Sequence, residues 1–159
     1  MNKRVKFLTH SAIIAALYVI LTMLARLVGL DSGVIQVRFS ESLCVLTAFT
    51  SAAIPGLTVG CLISNFLVGG ALWDVIFGSF ATLIGAYGGY LLRKNRWLVP
   101  LPTVISNALI IPPVLMTVYG AEESFWFLFT TVGIGEVISA YILGTILYFA
   151  LKKTKIRFV

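Results

Sequence analysis

Ten of the twelve basic residues fall in three short clusters, and between the clusters the chain is almost continuously apolar. Lys3, Arg4 and Lys6 form the first, Arg93, Lys94 and Arg96 the second, and Lys152, Lys153, Lys155 and Arg157 the third. None of the six acidic residues lies in any of them. Short basic segments beside membrane spans stay on the cytoplasmic side, so both ends and the RKNR turn are expected there. An even number of spans must then separate each pair. Composition agrees, since 59% apolar and 11% charged residues lie far from an ordinary soluble domain. The expectation is an all-α integral membrane bundle of six transmembrane helices, multi-pass, with both termini cytoplasmic. The net charge of +6 belongs to the flanks of spans, and the bases are not interleaved with aromatics, so no nucleic-acid partner is expected.

Punctuation places the spans at approximately residues 7–28, 41–54, 56–69, 72–92, 97–119 and 125–151, all within a single transmembrane domain covering 1–159. The first begins like a secretory signal, but its apolar run is long enough to cross a core of about 30 Å and no clear small-x-small cleavage site follows it. A polar stretch at 29–40 (GLDSGVIQVRFS) is expected outside. Pro55-Gly56 is expected to end the second span and Gly69-Gly70 the third. These two are short, and one re-entrant hairpin is the alternative. Pro112-Pro113 is expected to end or kink the fifth helix. Trp73 and Trp126 fall at the expected outer interface and Trp97 at the inner one, where aromatic anchors sit.

Ionisable and amide side chains inside apolar spans are costly, at about 3 kcal/mol for a charge at a helix centre, and mark candidate sites. Glu136 is the clearest, well inside the sixth span with Gly133 and Gly135 before it. Asn107 on the fifth span, Asn65 on the third, Asp74 on the fourth, and Arg38, Ser40 and Glu41 at the loop junction can converge with it in the outer half of the bundle. Trp73, Phe125 or Trp126 can cover a flat ligand. The bland alternative is a structural network in which Glu136 pairs with Arg26 or Arg38. Ala12 and Ala16, with Ala15 beside them, form a small-residue face on the first helix that suits close helix approach. No GxxxxGK[ST], HExxH, GxSxG or CxxC motif occurs, and no DxxD pair. Neither catalysis nor a metal or other cofactor in this chain is expected. A binding protein for a small polar solute, powered by something else, fits best; a self-sufficient ion-coupled carrier or channel is the alternative.

Three segments then carry a resemblance. Residues 35–46 (IQVRFSESLCVL), 56–66 (GLTVGCLISNF) and 74–83 (DVIFGSFATL), with the AxxxA of the first helix, resemble the QueT family of queuosine-precursor transporters, substrate-binding (S) components of energy-coupling factor (ECF) importers. The resemblance implies a bacterial cytoplasmic-membrane subunit that captures the solute from outside. A transmembrane scaffold (T) subunit and two ATPases would consume the ATP, and Ala12, Ala15 and Ala16 would face the scaffold. Its ligand would be a 7-deazaguanine such as 7-aminomethyl-7-deazaguanine, or another small vitamin-like solute. Donor and acceptor counts then assign roles. A buried carboxylate at Glu136 accepts the two adjacent N–H donors of the guanine edge, Asn107 reads the oxygen or a ring nitrogen, and Asp74 or Glu41 balances the ammonium. The 29–39 loop would act as a lid.

Overall fold

Three helices end in the same way. The first, third and fifth each stop two residues before a glycine with positive φ, Gly29 at 74°, Gly69 at 78° and Gly120 at 65°. A left-handed residue just past the cap turns the chain back over the last carbonyls, and only glycine adopts it without strain. The computed structural model describes residues 2–31 and 34–154. Ser32 and Gly33 of the first loop, and Lys155 and Arg157 of the last basic cluster, lie outside the described residues.

Among the described residues the structure is all-helical, in six segments. The first helix is Lys3–Leu27, the second segment is a 3-10 helix at Phe39–Ala48, the third is Ala53–Leu67, the fourth Leu72–Leu91 and the fifth Leu101–Val118. The sixth is one rod, Phe125–Lys153, α-helical over Phe125–Glu136, π-helical over Val137–Leu143 and α-helical again over Gly144–Lys153. The first, fifth and sixth are long and apolar enough to cross a membrane. Their outward faces are apolar too. Leu8, Ile13, Leu17, Ile20 and Leu24 of the first helix are all exposed, as are Phe66, Phe80 and Ile146 elsewhere. A surface of this kind requires a lipid solvent, and helices satisfy their own backbone there.

The second segment sits at the centre, against the first, third, fourth and sixth helices, and every residue from Ser40 to Thr47 is buried. Its tight winding has a local cause. The hydroxyls of Ser42 and Thr47 donate to carbonyls three residues back, Phe39 at 2.6 Å and Cys44 at 2.7 Å, which draws the backbone toward i→i+3 geometry. At about 2 Å per residue it spans roughly 20 Å. It runs from the cavity described below toward Thr47, whose hydroxyl lies beside Gly89, and the third helix runs back beside it.

Pro55-Gly56 does not end a helix as the sequence suggests. Both residues lie in the first turn of the third helix, where proline's missing N–H would have no partner in any case, and the break falls instead at residues 49–52. The fifth helix likewise continues past Pro112 and Pro113 to Val118.

Small residues bring the rods together. A Cβ on Gly60 would stand 2.7 Å from Tyr18 Cβ and 3.0 Å from the Ala15 carbonyl, so the first and third helices touch backbone to backbone. A Cβ on Gly85 would stand 2.7 Å from Thr103 Cα, and Ser106 donates to the Ala81 carbonyl at 2.9 Å, joining the fourth and fifth. The described residues of the basic clusters gather at one end. Lys3 and Arg4 lie near Ser51, Ser11 donates to the Ala52 carbonyl, Gly89 lies against Thr47 and Val99, and Arg96 lies over the Phe149 ring.

Candidate functional site

At the other end, the helices part around a cavity of about 650 Å³. Each helix lines it with a stripe at i, i+4 spacing: Cys61 and Asn65 on the third, Asp74, Gly78 and Thr82 on the fourth, Asn107, Ile111 and Leu115 on the fifth, and Leu128, Val132 and Glu136 on the sixth. The loop adds Gln36 and Arg38, and the second segment adds Glu41. Five of the chain's six carboxylates line this space, against two guanidinium groups. A surplus of acidic groups in a cavity open at one end suits a solute that brings positive charge or several N–H donors.

Glu136 ends the α-helical part of the sixth rod. Its Oε2 is buried and makes no hydrogen bond among the described residues, while the Asn107 side chain approaches the same carboxyl group from the fifth helix. The π-helical stretch begins at the next residue. Such insertions recur at functional sites because they re-aim side chains within a rod. This one also seats the loop: Ser139 Oγ accepts the backbone N–H of Arg38 at 2.9 Å, and the Arg38 side chain lies within electrostatic reach of both Glu41 and Glu136.

Glu41 accepts a hydrogen bond from the phenol of Tyr18, and one turn further along the first helix Thr22 and Ser40 are hydrogen-bonded at 2.9 Å. Asn65 is 3% exposed and its amide approaches Cys61 Sγ at 3.4 Å. Nearer the mouth, Tyr119 donates to Asp74 Oδ2 at 3.2 Å and accepts from the Ala71 N–H at 3.0 Å. Arg26 is engaged there as well, donating to the Val68 carbonyl at 2.8 Å and lying 3.9 Å from Asp31. The sequence offered Arg26 as a partner for Glu136; its partners are these instead.

Six of the ten residues expected at the site thus share the cavity, Arg38, Glu41, Asn65, Asp74, Asn107 and Glu136, while Ser40 is buried outside its lining. Trp73, Phe125 and Trp126 are not among its lining. Trp73 is exposed and stacks on Phe77 at 5.9 Å, and Trp126 is exposed with its ring edge-on to Phe125 at 5.4 Å. The aromatic side chains on the lining are Phe127 and Tyr119. Counting back from Glu136 in steps of four selects Val132 and Leu128 and passes over Trp126, a signal already present in the sequence. The small-residue face of the first helix also divides. Ala12 and Ala16 are exposed, whereas Ala15 turns inward onto the third helix. Tyr18 escaped the sequence reading, and nothing in the first helix alone marks it apart from its place four residues before Thr22. Among the described residues no cluster of His, Cys, Asp and Glu could hold a metal ion.

Residues 8–153 match the family model described as QueT transporter. An 82-residue stretch is 48% identical to a protein named Queuosine precursor transporter QueT from Lactococcus lactis subsp. cremoris (strain MG1363), covering 51% of this chain and 47% of that relative. No solved structure matches this chain. The family is one of transporters and not of enzymes. Because the match runs from the first helix into the last turn of the sixth, the chain belongs to the QueT transporter family.

Proposed function

We propose that this chain is the substrate-binding subunit of an ATP-driven importer of the energy-coupling factor type, and that its cavity captures a queuosine precursor bearing a 7-aminomethyl-7-deazaguanine core. The observation that carries the reading is the unpartnered, buried Oε2 of Glu136 in a cavity rich in carboxylates. A buried carboxylate oxygen without a donor is unfavourable, and a guanine edge with two adjacent N–H groups supplies what is missing. Asn107 reads the neighbouring ring atoms, Arg38 donates to the ligand's carbonyl oxygen, and Asp74 near the mouth balances the ammonium. The name of the Lactococcus relative supports the same ligand class.

With the basic clusters at the cytoplasmic face, the cavity opens outward and both termini lie inside a multi-pass cell-membrane protein. A scaffold subunit and two ATPases supply the energy, and the exposed Ala12 and Ala16 face is where the scaffold packs. The test is calorimetric binding of 7-aminomethyl-7-deazaguanine to the purified chain in detergent, with guanine as control. Saturable binding that excludes guanine and weakens at least tenfold in Glu136→Gln is expected from loss of one charge-assisted bond. A folded, monodisperse chain that ignores the deazapurine would remove the ligand assignment. Transport by the chain alone in liposomes would remove the division of labour.

A further inference from the structure

Tyr18 does not line the cavity, yet its phenol is bonded to a group that does. The ring is 1% exposed and packed among Ile14, Leu43, Leu46 and Leu57, with Gly60 pressed against its Cβ. A tyrosine so enclosed cannot swing, and its O–H has one proton to give. That proton goes to Glu41 Oε1, which leaves the remaining acceptor capacity of the carboxyl group for the cavity. Glutamate has three rotatable side-chain bonds, and a cavity of this width would otherwise allow it several positions. The neighbouring Thr22–Ser40 bond fixes the backbone that bears it.

We infer that Tyr18 is a positioning residue for solute capture, holding the Glu41 carboxyl group in one orientation so that its ordering is met on folding and not on binding. The inference rests on the reading that the cavity binds a deazapurine. Preorganisation of this kind raises affinity by removing an ordering cost at the moment of binding. The effect of removing the phenol should therefore pass through Glu41 and vanish when Glu41 can no longer act as a carboxylate.

The experiment is a double-mutant cycle on the purified full chain, Tyr18→Phe and Glu41→Gln singly and together, with the affinity for 7-aminomethyl-7-deazaguanine read by calorimetry. The carboxyl infrared band that disappears in Glu41→Gln is followed in the ligand-free protein. Expected are a loss of about tenfold for Tyr18→Phe in the parent background, less than twofold in the Glu41→Gln background, and a shifted Glu41 band. Equal loss in both backgrounds, or no loss, overturns the inference. If the parent binds no deazapurine, the ligand reading falls by itself and the infrared band decides: a band that moves in Tyr18→Phe upholds the positioning role, and an unmoved band ends it. Should Tyr18→Phe aggregate, a fluorotyrosine at position 18 keeps the ring's packing and changes only the strength of the donor, so the same band shift is read there.

Discussion

Gly135 lets the carbonyl of Gln36 rest directly on the sixth helix, in the place where a side-chain methyl would otherwise stand. Two residues on, Arg38 is tied to Ser139 of the same helix. The loop that covers one side of the cavity is therefore seated on the π-helical rod at two points, one steric and one polar.

Gly135→Ala should unseat that loop without dismantling the bundle. The alanine methyl forces the Gln36 backbone off the helix, an overpacking change of about 1–3 kcal/mol. Hydrogen exchange at residues 36–38 should accelerate, and dissociation of bound 7-aminomethyl-7-deazaguanine should quicken by about tenfold or more. Exchange at the central residues 43–47 should be unchanged. Faster exchange there would mean a general loss of stability.

Asp74 and Glu136 should separate two parts of recognition. Asp74 lies toward the mouth, partnered by Tyr119, and Glu136 lies deeper beside Asn107. Asp74→Asn is expected to weaken the aminomethyl compound by about tenfold and leave the neutral 7-cyano analogue nearly untouched, because only the ammonium loses a counter-charge. Glu136→Gln is expected to weaken both. Competition titrations with the two compounds give the ratio directly, and equal effects of Asp74→Asn on both would misplace the ammonium.

Ala16→Leu should spare binding and impair uptake. Ala16 is exposed on the first helix and is not part of the cavity lining, so a larger side chain meets lipid in the isolated chain and, on the proposed division of labour, the scaffold subunit in the complex. The prediction is an unchanged dissociation constant for the purified chain alongside a loss of several-fold or more in accumulation by cells expressing the whole transporter. Ala15→Leu, whose position faces the third helix, should lower the unfolding temperature as well.

Tryptophan emission should be a poor reporter of ligand binding here. Trp73, Trp97 and Trp126 are 56%, 44% and 73% exposed, and none lines the cavity. Calorimetric titration should saturate while emission changes little. A large quenching would mean that Trp73 or Trp126 moves onto the ligand.

The rods were legible because apolar length, basic flanks and terminal glycines are local signals, and the gathering of Glu136, Asn107, Asn65 and Asp74 around one cavity was legible because a polar group in an apolar run has few reasons to be there. Where reading failed, the cause was either a local signal open to two readings or a partner distant in the sequence. Pro55 reads as a terminator, but proline is equally at home in a helix's first turn, and the sequence does not say on which side of the break it falls. The 3-10 winding of the second segment depends on hydroxyl bonds and on neighbours that enclose it from all sides. The aromatic assignment placed Trp126 where Phe127 lines the cavity, a single residue and about 100° of helical phase away. Tyr18 looked like any aromatic in a span, since its partner is 23 residues distant.

The first helix has two unlike sides. One grips the floor of the cavity through Tyr18 and Thr22, and the other offers Ala12 and Ala16 to whatever lies outside the bundle. A stiff rod attached in this way behaves as a lever. A neighbour that tilted it from the lipid side would pull Ser40 and Glu41 along with it, so docking from without and rearrangement of the pocket floor would be a single mechanical displacement, with no intervening relay to tune.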